Sequence, residues 1–308
     1  MNAPHTQRGV ALIMAIAIVA VAVSLAAYLA FDQQVAIRST HNLIARDQAS
    51  QYVYAAEGLA QIALSEDAAD NNTDTLTETW AQPASLPLSE DAEIAGQLSD
   101  LQGRLNLNNL VSEDGKVDAT ALARLERLLG TLELPAGLAA AIVDWIDPDG
   151  EPYGPSGAED GSYTREEPPY LTANTPMVSV SELRLIAGME EAAYQRLVPF
   201  VSVLPETTSI NINTAPPEVL RAIGVPAEAI DLVLQARDDE PFPSVGALLA
   251  LPPLKDAEIE TAGLDVRSSY FGLRAQSRFA GSIQSTFSLI HRAENGTLRV
   301  LSRRQVLF

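Results

Sequence analysis

One short acidic segment carries the group of side chains in this sequence best suited to site chemistry. Six carboxylates lie between residues 144 and 160, in a stretch whose Gly and Pro content disfavours regular structure. Carboxylates packed this densely repel one another and raise one another's pKa values. A hard cation relieves the repulsion, and Ca²⁺ takes about six to eight oxygen ligands from flexible loops. The carboxylates are Asp144, Asp147, Asp149, Glu151, Glu159 and Asp160.

Other interpretations of this acidic segment remain open. The run Asp147-x-Asp149-x-Glu151 begins like an EF-hand. An EF-hand is nevertheless excluded, because Pro152 stands where that loop needs Gly and Ala158 where it needs a bidentate Glu. A solvated acidic loop and a Mg²⁺ site are alternatives. A carboxylate pair for acid–base catalysis would need a cleft with aromatic platforms, and aromatic residues make up only 6% of the chain.

Composition excludes several classes of function. The net charge of −20 argues against binding to nucleic acid or to an anionic membrane surface, since both need Lys and Arg. With no Cys the chain has no disulfide and no thiolate site. A zinc or Ser-His-Asp centre is disfavoured because the three histidines, His5, His41 and His291, are widely spaced.

The N-terminal region predicts a membrane anchor. From Val10 to Phe31 the chain is uncharged, nearly all apolar and free of Gly and Pro. A helix of this length, at about 1.5 Å per residue, crosses a hydrocarbon core about 30 Å thick. An ordinary secretory signal has a shorter apolar core followed by its cleavage site. Here the basic Arg8-Gly9 step comes first, so the helix is expected to stay on the mature protein; a plain signal anchor is the alternative.

The helical pattern continues beyond Phe31 and predicts one long helix from Val10 to about Ser65. Its second half is amphipathic and must pack on something later in the chain. A coiled coil is disfavoured because no heptad is sustained. The predicted apolar stripe comprises Val35, Ile37, Leu43, Ile44, Tyr52, Val53, Ala56, Leu59, Ile62 and Ala63.

The segment after this helix predicts a loop and then a strand. Residues 66–87 are polar and interrupted by Pro, which is typical of a loop, and residues 92–98 alternate like a strand. A turn follows at Gln102-Gly103. Asn106 and Asn108 are expected to cap the entrance to the next domain.

Residues 110–266 are predicted to be mostly helical and to contain an internal repeat. Two units, 182–200 and 218–236, read as helix, Gly terminator and second helix, and 122–145 forms a looser third copy. Thr214 is a candidate N-cap.

The segment 213–218, with Phe242-Pro243-Ser244-Val245 after it, resembles DNA-binding helix-hairpin-helix modules. Their phosphate grip is missing. Here the hairpin has the single Gly224, then Pro226, which has no amide hydrogen, and the acidic Glu228. We therefore expect no nucleic-acid binding.

The C-terminal region predicts an antiparallel meander of three or four strands that covers the long helix. Residues 270–278 and 282–290 alternate, and Asn295-Gly296 predicts a hairpin returning as 297–306. Arginines dominate the charge of this region, which suggests either a solvated face or a docking face for acidic partners. They are Arg267, Arg274, Arg278, Arg292, Arg299, Arg303 and Arg304.

The N-terminus resembles type IV prepilins and type II secretion pseudopilins, in which a basic-Gly step precedes the apolar helix. The resemblance implies cleavage after Gly9 by prepilin peptidase and N-methylation of Val10. Most members carry Glu at the fifth mature position, where this chain has Met14. The K-type minor pseudopilin lacks that Glu and is placed at the pseudopilus tip.

Further motifs are similar to those of the K type. These are Gly-Arg-Leu-Asn-Leu-Asn at 103–108, Asp-Trp-Ile-Asp at 144–147 and Gly-Ala-Glu-Asp at 157–160. The resemblance implies calcium in the helical domain. It makes Asp147, Asp149, Glu159 and Asp160 the best ligand candidates, followed by Glu151 and Asp144.

The implied fold class is α+β, with a long N-terminal helix on a small antiparallel sheet and a large inserted all-α domain of helical hairpins. The implied parts are a leader (1–9), a transmembrane half-helix (10–31), a first pilin-like part (32–108), the inserted domain with the calcium loop (109–266) and the C-terminal strands (267–308).

The resemblance implies a minor pseudopilin that initiates or caps pseudopilus assembly at the tip for export of folded proteins, and not an enzyme. The implied partners are the I-, J- and H-type pseudopilins, prepilin peptidase and the inner-membrane secretion platform. The chain would cross the inner membrane once with its C-terminal part in the periplasm. A minor pilin of a type IV pilus and an anchored DNA-uptake protein are the alternatives.

Overall fold

A computed structural model describes residues 7–306, with side chains from Val10 onward. Residues 1–6 of the predicted leader and residues 307–308 lie outside the described residues. Within the described range the α-helices are α1 (Gln7–Asp70), α2 (Ala119–Thr131), α3 (Gly137–Ile146), α4 (Asp160–Tyr163), α5 (Glu191–Leu197), α6 (Pro217–Ala222), α7 (Ile230–Asp239) and α8 (Val245–Leu249). The strands are β1 (Ala84–Ser89), β2 (Ala92–Asp100), β3 (Leu105–Asn106), β4 (Val201–Ser202), β5 (Ile210–Asn211), β6 (Leu264–Asp265), β7 (Tyr270–Phe279), β8 (Ser282–Arg292) and β9 (Leu298–Gln305).

The long N-terminal helix is confirmed and extends five residues past its predicted end, to Asp70. In the described part of the chain it is the one helix long and apolar enough to cross a membrane, with a mean hydropathy of 2.9 in its apolar window. Every residue from 10 to 44 is exposed. Within this range residues 10–31 form an apolar surface with nothing packed on it, which fits a single-pass anchor.

The face by which α1 packs on the sheet differs from the predicted stripe. Val35, Ile37, Leu43, Leu59 and Ile62 are exposed. Alanines instead make up most of the buried face, and their small side chains bring the helix backbone close to the sheet. The buried apolar residues of this face are Ala45, Ala49, Val53, Ala56, Ala60 and Leu64.

The main sheet of the described chain has five strands, in the order β1-β2-β7-β8-β9, and all neighbouring pairs are antiparallel. The predicted strands correspond to β2, β7, β8 and β9. The prediction of a loop over residues 66–87 was wrong at its end, because β1 begins at Ala84. This strand has no polar alternation to reveal it, since all six of its residues are exposed.

The inserted helical part leaves the sheet at the end remote from the apolar segment. Contacts along α1 fix this direction: Ser277 Oγ donates to Ala49 O (2.6 Å), Ser288 Oγ to Glu57 (2.6 Å) and Arg292 to Asp67 (3.3 Å). The chain leaves β2 at residue 100 and re-enters β7 at residue 270, beside β8 residue 291. The insert therefore sits next to the C-terminal end of α1.

The predicted helical hairpins are present, with shorter helices than expected. Gly188 and Gly224 adopt positive φ angles (79° and 107°) between the two halves of each unit, as helix-terminating glycines do. The first half of the 182–200 unit is a 3₁₀ helix, Val180–Leu185, rather than an α-helix. In the third copy, α2 and α3 are joined through Glu133, whose φ is 51°.

Candidate metal centre and domain junction

The acidic segment begins at the end of a buried helix. Helix α3 is apolar along nearly its whole length, and Leu138, Ile142 and Val143 belong to the core of the helical domain. Asp144 and Asp147 occur three residues apart at its C-terminal end, so they lie on one face. Both are buried, at 0% and 4% exposure. The helix thus delivers two carboxylates into the protein interior.

Asp144 shapes the loop that follows. Its Oδ1 accepts from the backbone N–H of Tyr153 (2.7 Å) and its Oδ2 from that of Ala158 (2.5 Å). Gly157 is required at the close approach, because a Cβ there would lie 2.6 Å from the Tyr153 nitrogen and collide with the Asp144 carboxylate. The loop therefore folds back over the end of α3 and brings in the next acidic residue.

Glu159 completes a cluster of three buried carboxylates. It is 8% exposed, and one oxygen each from Asp144, Asp147 and Glu159 lie within 4.8 Å of one another. Asp147 Oδ1 and Glu159 Oε1 have no hydrogen-bond partner in the described chain. No arginine or lysine among residues 10–306 forms a salt bridge with any of the three. Orphaned oxygens around uncompensated negative charge are what a divalent cation satisfies, so these residues fit Ca²⁺.

The pKa values in this centre follow from the same geometry. Burial, reinforced by repulsion from Asp149, Asp144 and Glu159, raises the pKa of Asp147 to about 7. Burial also raises the pKa values of Asp144 and Glu159. Below about pH 7 the ion-free centre therefore retains a proton on Asp147, which a cation would displace.

The other predicted ligands lie outside this three-carboxylate cluster. Asp149, Glu151 and Asp160 are exposed. Asp149 accepts from the Glu151 backbone N–H (2.8 Å), and Asp160 accepts from the Thr172 backbone N–H (3.0 Å). The cluster instead contains Asp144, which the resemblance placed behind the best ligand candidates.

Two residues beside the cluster were missed from the sequence. The Thr172 hydroxyl lies 3.1 Å from Glu159 Oε2 and 2.9 Å from Asp160 Oδ1. The side-chain amide of Asn174 donates to the backbone carbonyl of Asp149 (2.9 Å). The φ angle of Asn174 is 45°. Only the fold brings them to the acidic segment, so no local pattern would have revealed them.

Aromatic packing and one glutamate connect this centre to the rest of the domain. The Trp145 ring packs edge-on against Tyr163, with centroids 5.5 Å apart, and its Nε1 donates to Glu182 Oε2 (3.2 Å). Glu182 in turn accepts from the backbone N–H of Ser179 (2.9 Å), whose hydroxyl accepts from Arg304 of β9 (3.0 Å). The cluster of buried carboxylates is thus joined to the edge of the main sheet.

A second polar network is buried where the helical insert meets the sheet. Asp100, at the end of β2, accepts from Gln102 N (2.7 Å), Thr214 Oγ1 (2.5 Å), Ser268 Oγ (2.6 Å) and Asn211 Nδ2 (3.1 Å). Burial raises its pKa despite these donors. The prediction that Thr214 caps a helix was wrong. Its hydroxyl donates to Asp100, and the N-cap residue of α6 is Pro216.

Asn106 and Asn108, in the segment that leads into the helical insert, connect parts of the insert by hydrogen bonds. Asn106 caps the following 3₁₀ helix by accepting from Asn108 N (3.2 Å), which confirms its predicted capping role. Asn108 donates to the carbonyls of Met177 (3.0 Å) and Leu204 (2.9 Å). This motif therefore binds distant loops together.

Arg292 neutralises a further acidic cluster at the same junction. It is buried and pairs with Asp74 (2.5 Å) and Asp67 (3.3 Å), and it donates to Ser268 O (2.7 Å). Burial, with repulsion from Glu78 and Asp74, raises the pKa of Asp67 to about 7. Asp67, Asp74 and Glu78 lie close enough together to hold a metal, but Arg292 already supplies the positive charge.

Comparison with known proteins identifies the family. Models described as "Type II secretion system (T2SS), protein K" match residues 103–206 and 210–267, which together span the helical insert. Type II secretion system protein K of Pseudomonas aeruginosa is 36% identical over 96% of this chain and 92% of the relative. The chain belongs to the type II secretion system protein K family. The Klebsiella pneumoniae protein K is 38% identical over 84% of this chain and 83% of its own length.

A solved protein K supports the fold and the role. The GspK–GspI–GspJ complex from the type II secretion system of enterotoxigenic Escherichia coli contains a chain similar to this one. The TM-score is 0.79 and the identity 30%, over 87% of this chain and 99% of that chain. The predicted α+β fold and minor pseudopilin role are confirmed. The family assignment supersedes the type IV pilin and DNA-uptake alternatives.

Proposed function

We propose that this protein K occupies the tip of the pseudopilus and caps or initiates its assembly for export of folded proteins. The observation that carries the proposal is the position of the helical insert, at the end of the sheet farthest from the apolar half of α1. The helical insert would sterically block a further subunit from stacking above this one. Met14, which replaces the usual Glu, agrees with a subunit that has no neighbour above it.

Calcium is part of the proposal. Asp144, Asp147 and Glu159 would hold the ion, which would supply positive charge to a buried anionic centre. Asp144 keeps the loop closed over the end of α3, while Thr172 and Asn174 fix its outer side. The role is structural, and we expect no enzymatic activity.

The remaining parts of the proposal concern maturation and location. Prepilin peptidase would cut between Gly9 and Val10, and Val10 would be methylated. The mature chain would cross the inner membrane once, with its folded part in the periplasm. There it would assemble with I-, J- and H-type pseudopilins on the secretion platform.

The processing step gives a direct test. Replacing Gly9 by alanine is expected to leave nearly all of the protein as uncleaved precursor, because the peptidase recognises the glycine. Gly58→Ala is the matched control, since Gly58 lies on the same helix and nothing lies within 4 Å of an added Cβ. Intact-mass spectrometry of membrane extracts should show a methylated Val10 terminus in the wild type and in Gly58→Ala. Normal processing of Gly9→Ala would refute the pseudopilin maturation step.

A further inference from the structure

The face of the main sheet that points away from α1 carries arginines without a carboxylate partner. Leu273 and Ala275 of β7 pack in the core with α1, so Arg274 between them points to the opposite, outer face and is exposed. Arg104, in the turn that follows β2, is partly buried. Neither arginine forms a salt bridge with an acidic residue of the described chain. This is a local excess of positive charge in a chain whose net charge is −20.

A third arginine and an aromatic ring extend this surface across the sheet. Phe287 of β8 lies opposite Arg274 in the register of β7 with β8, and opposite Arg304 in the register of β8 with β9. The Arg304 guanidinium lies 4.6 Å from the centre of the Phe287 ring and donates to the uncharged hydroxyl of Ser179 (3.0 Å). We call the set of Arg104, Arg274, Arg304 and Phe287 the basic face.

The charge of the basic face is not compensated from within the described chain. Burial, and then the positive charge of Arg274, lowers the pKa of Arg104. Asp100 opposes this shift, but it is buried and already accepts four hydrogen bonds. An acidic ligand would therefore relieve a repulsion that the fold leaves in place. Other arginines of the C-terminal region do have acidic partners: Arg278, Arg292 and Arg303.

We propose that the basic face docks an acidic segment of a partner protein, with Arg104 and Arg274 binding its carboxylates. Charge complementarity carries the assignment, because the planar guanidinium group matches a carboxylate in bidentate geometry. Phe287 adds apolar contact area between the arginines. The face lies on the opposite side of the sheet from α1, so a partner bound here does not compete with anything packed along that helix.

An anionic membrane surface lies too far away to be the occupant. Ser277, farther along β7 from the insert than Arg274, bonds to the carbonyl of Ala49. At about 1.5 Å per residue, the helix places Ala49 about 27 Å beyond Phe31, where the apolar segment ends. The Debye length at physiological salt is only about 8 Å. An acidic protein segment is therefore favoured over lipid headgroups.

Charge-selective binding tests the assignment on the purified full-length protein in detergent. The probe is a fluorescein-labelled oligoglutamate peptide, and oligoglutamine of the same length is the neutral comparison. Fluorescence anisotropy should show that oligoglutamate binds, that oligoglutamine does not, and that added salt weakens the binding. Arg274→Gln should weaken it at least about fivefold, since it removes one of two groups that bind carboxylate.

Arg278→Gln is the matched control for this experiment. Arg278 lies on the same strand and the same face as Arg274, but it already pairs with Glu93 (3.0 Å). The affinity of this variant for oligoglutamate should stay within about twofold of the wild type, because its guanidinium is not available to a ligand.

The melting temperature of the peptide-free protein is a second readout, which separates a binding role from a structural one. Arg274→Gln removes the repulsion of Arg104, so it should raise the melting temperature by about 1–2 °C. Arg278→Gln should lower it slightly, because that variant loses an exposed ion pair.

Several results would overturn the assignment. Oligoglutamate that binds equally to the wild type, Arg274→Gln and Arg278→Gln would place its site elsewhere. Equal binding of the two peptides, or no binding of oligoglutamate by the wild type, would show that the face does not recognise carboxylates. A lower melting temperature for Arg274→Gln would show that this arginine stabilises the sheet instead. None of these results bears on the position at the pseudopilus tip, which the inference does not need.

Discussion

Removing calcium from the purified full-length protein is expected to lower its melting temperature by about 5 °C or more. An ion present at about one hundred times its dissociation constant stabilises the folded state by about 2.7 kcal/mol. Each kcal/mol shifts the melting temperature of a large domain by roughly 2–4 °C. The loss follows because a buried oxygen of Asp147 and one of Glu159 have no hydrogen-bond partner in the described chain, and the ion would supply the charge that compensates them. Calorimetry with and without chelator measures it.

The ligand set is tested by paired variants. Asp147→Asn combined with Glu159→Gln keeps the side-chain volumes but removes two charges, and it should abolish the response to calcium. Asp149→Asn combined with Glu151→Gln removes the same charge from exposed positions of the same loop. This control should retain most of the response. The reverse pattern would show that the exposed carboxylates bind the ion and that the buried cluster does not.

The pH dependence of the calcium effect has a definite sign. The pKa of Asp147 is raised to about 7 in the ion-free fold, against 3.8 as its ordinary value. The folded state therefore holds a proton that the unfolded chain has lost, and ion-free stability falls as pH rises from about 4 to 7. Calcium displaces that proton, so the gain in melting temperature on adding calcium should be larger at pH 8 than at pH 6. Equal gains at both pH values would contradict this.

Replacing Arg292 by alanine is expected to cost about 3–5 kcal/mol of unfolding free energy, because it leaves buried Asp74 and partly buried Asp67 without their counter-charge. It also removes a donor from Ser268 O, where the chain re-enters the sheet. Because the insert and the sheet meet at this network, we expect the variant to unfold in two separate steps. Urea denaturation followed by tryptophan fluorescence measures both effects, since Trp80 lies in the sheet core and Trp145 in the insert.

The matched control for Arg292 is an arginine on the surface of the same sheet. Arg278 pairs with Glu93 at 3.0 Å, with both side chains partly exposed. Arg278→Ala should cost less than about 1 kcal/mol, since exposed pairs contribute little. Comparable costs for the two variants would mean that Arg292 does not hold the junction together.

The sequence predicted most of the architecture where periodicity was strong. The long helix, β2, β7, β8, β9 and the glycine-terminated hairpins follow from hydrophobic spacing and turn residues. Strand β1 was not predicted, because Pro87 disfavours a strand and none of the six residues of β1 is buried. The packing face of α1 was misread because alanines such as Ala49 and Ala60 carry a weak hydrophobic signal, although they allow the closest approach to the sheet.

The candidate site was predictable only in part. The density of carboxylates in the sequence pointed to the acidic segment. Only Asp144, Asp147 and Glu159 form its buried cluster, and their burial depends on how α3 ends. Thr172 and Asn174 join it through tertiary folding. The roles of Asp100 and Thr214 were likewise hidden, because their bond links residues 114 positions apart.

The central claim, that this protein K ends the pseudopilus, is tested most directly by locating it in assembled fibres. Pseudopili prepared with an epitope tag in the turn at Asn295-Gly296 can be labelled with gold-conjugated antibody and imaged by electron microscopy. We expect label at one end of each fibre and nowhere along its length. Label distributed along the fibre, or subunits visible beyond the helical domain, would contradict the account.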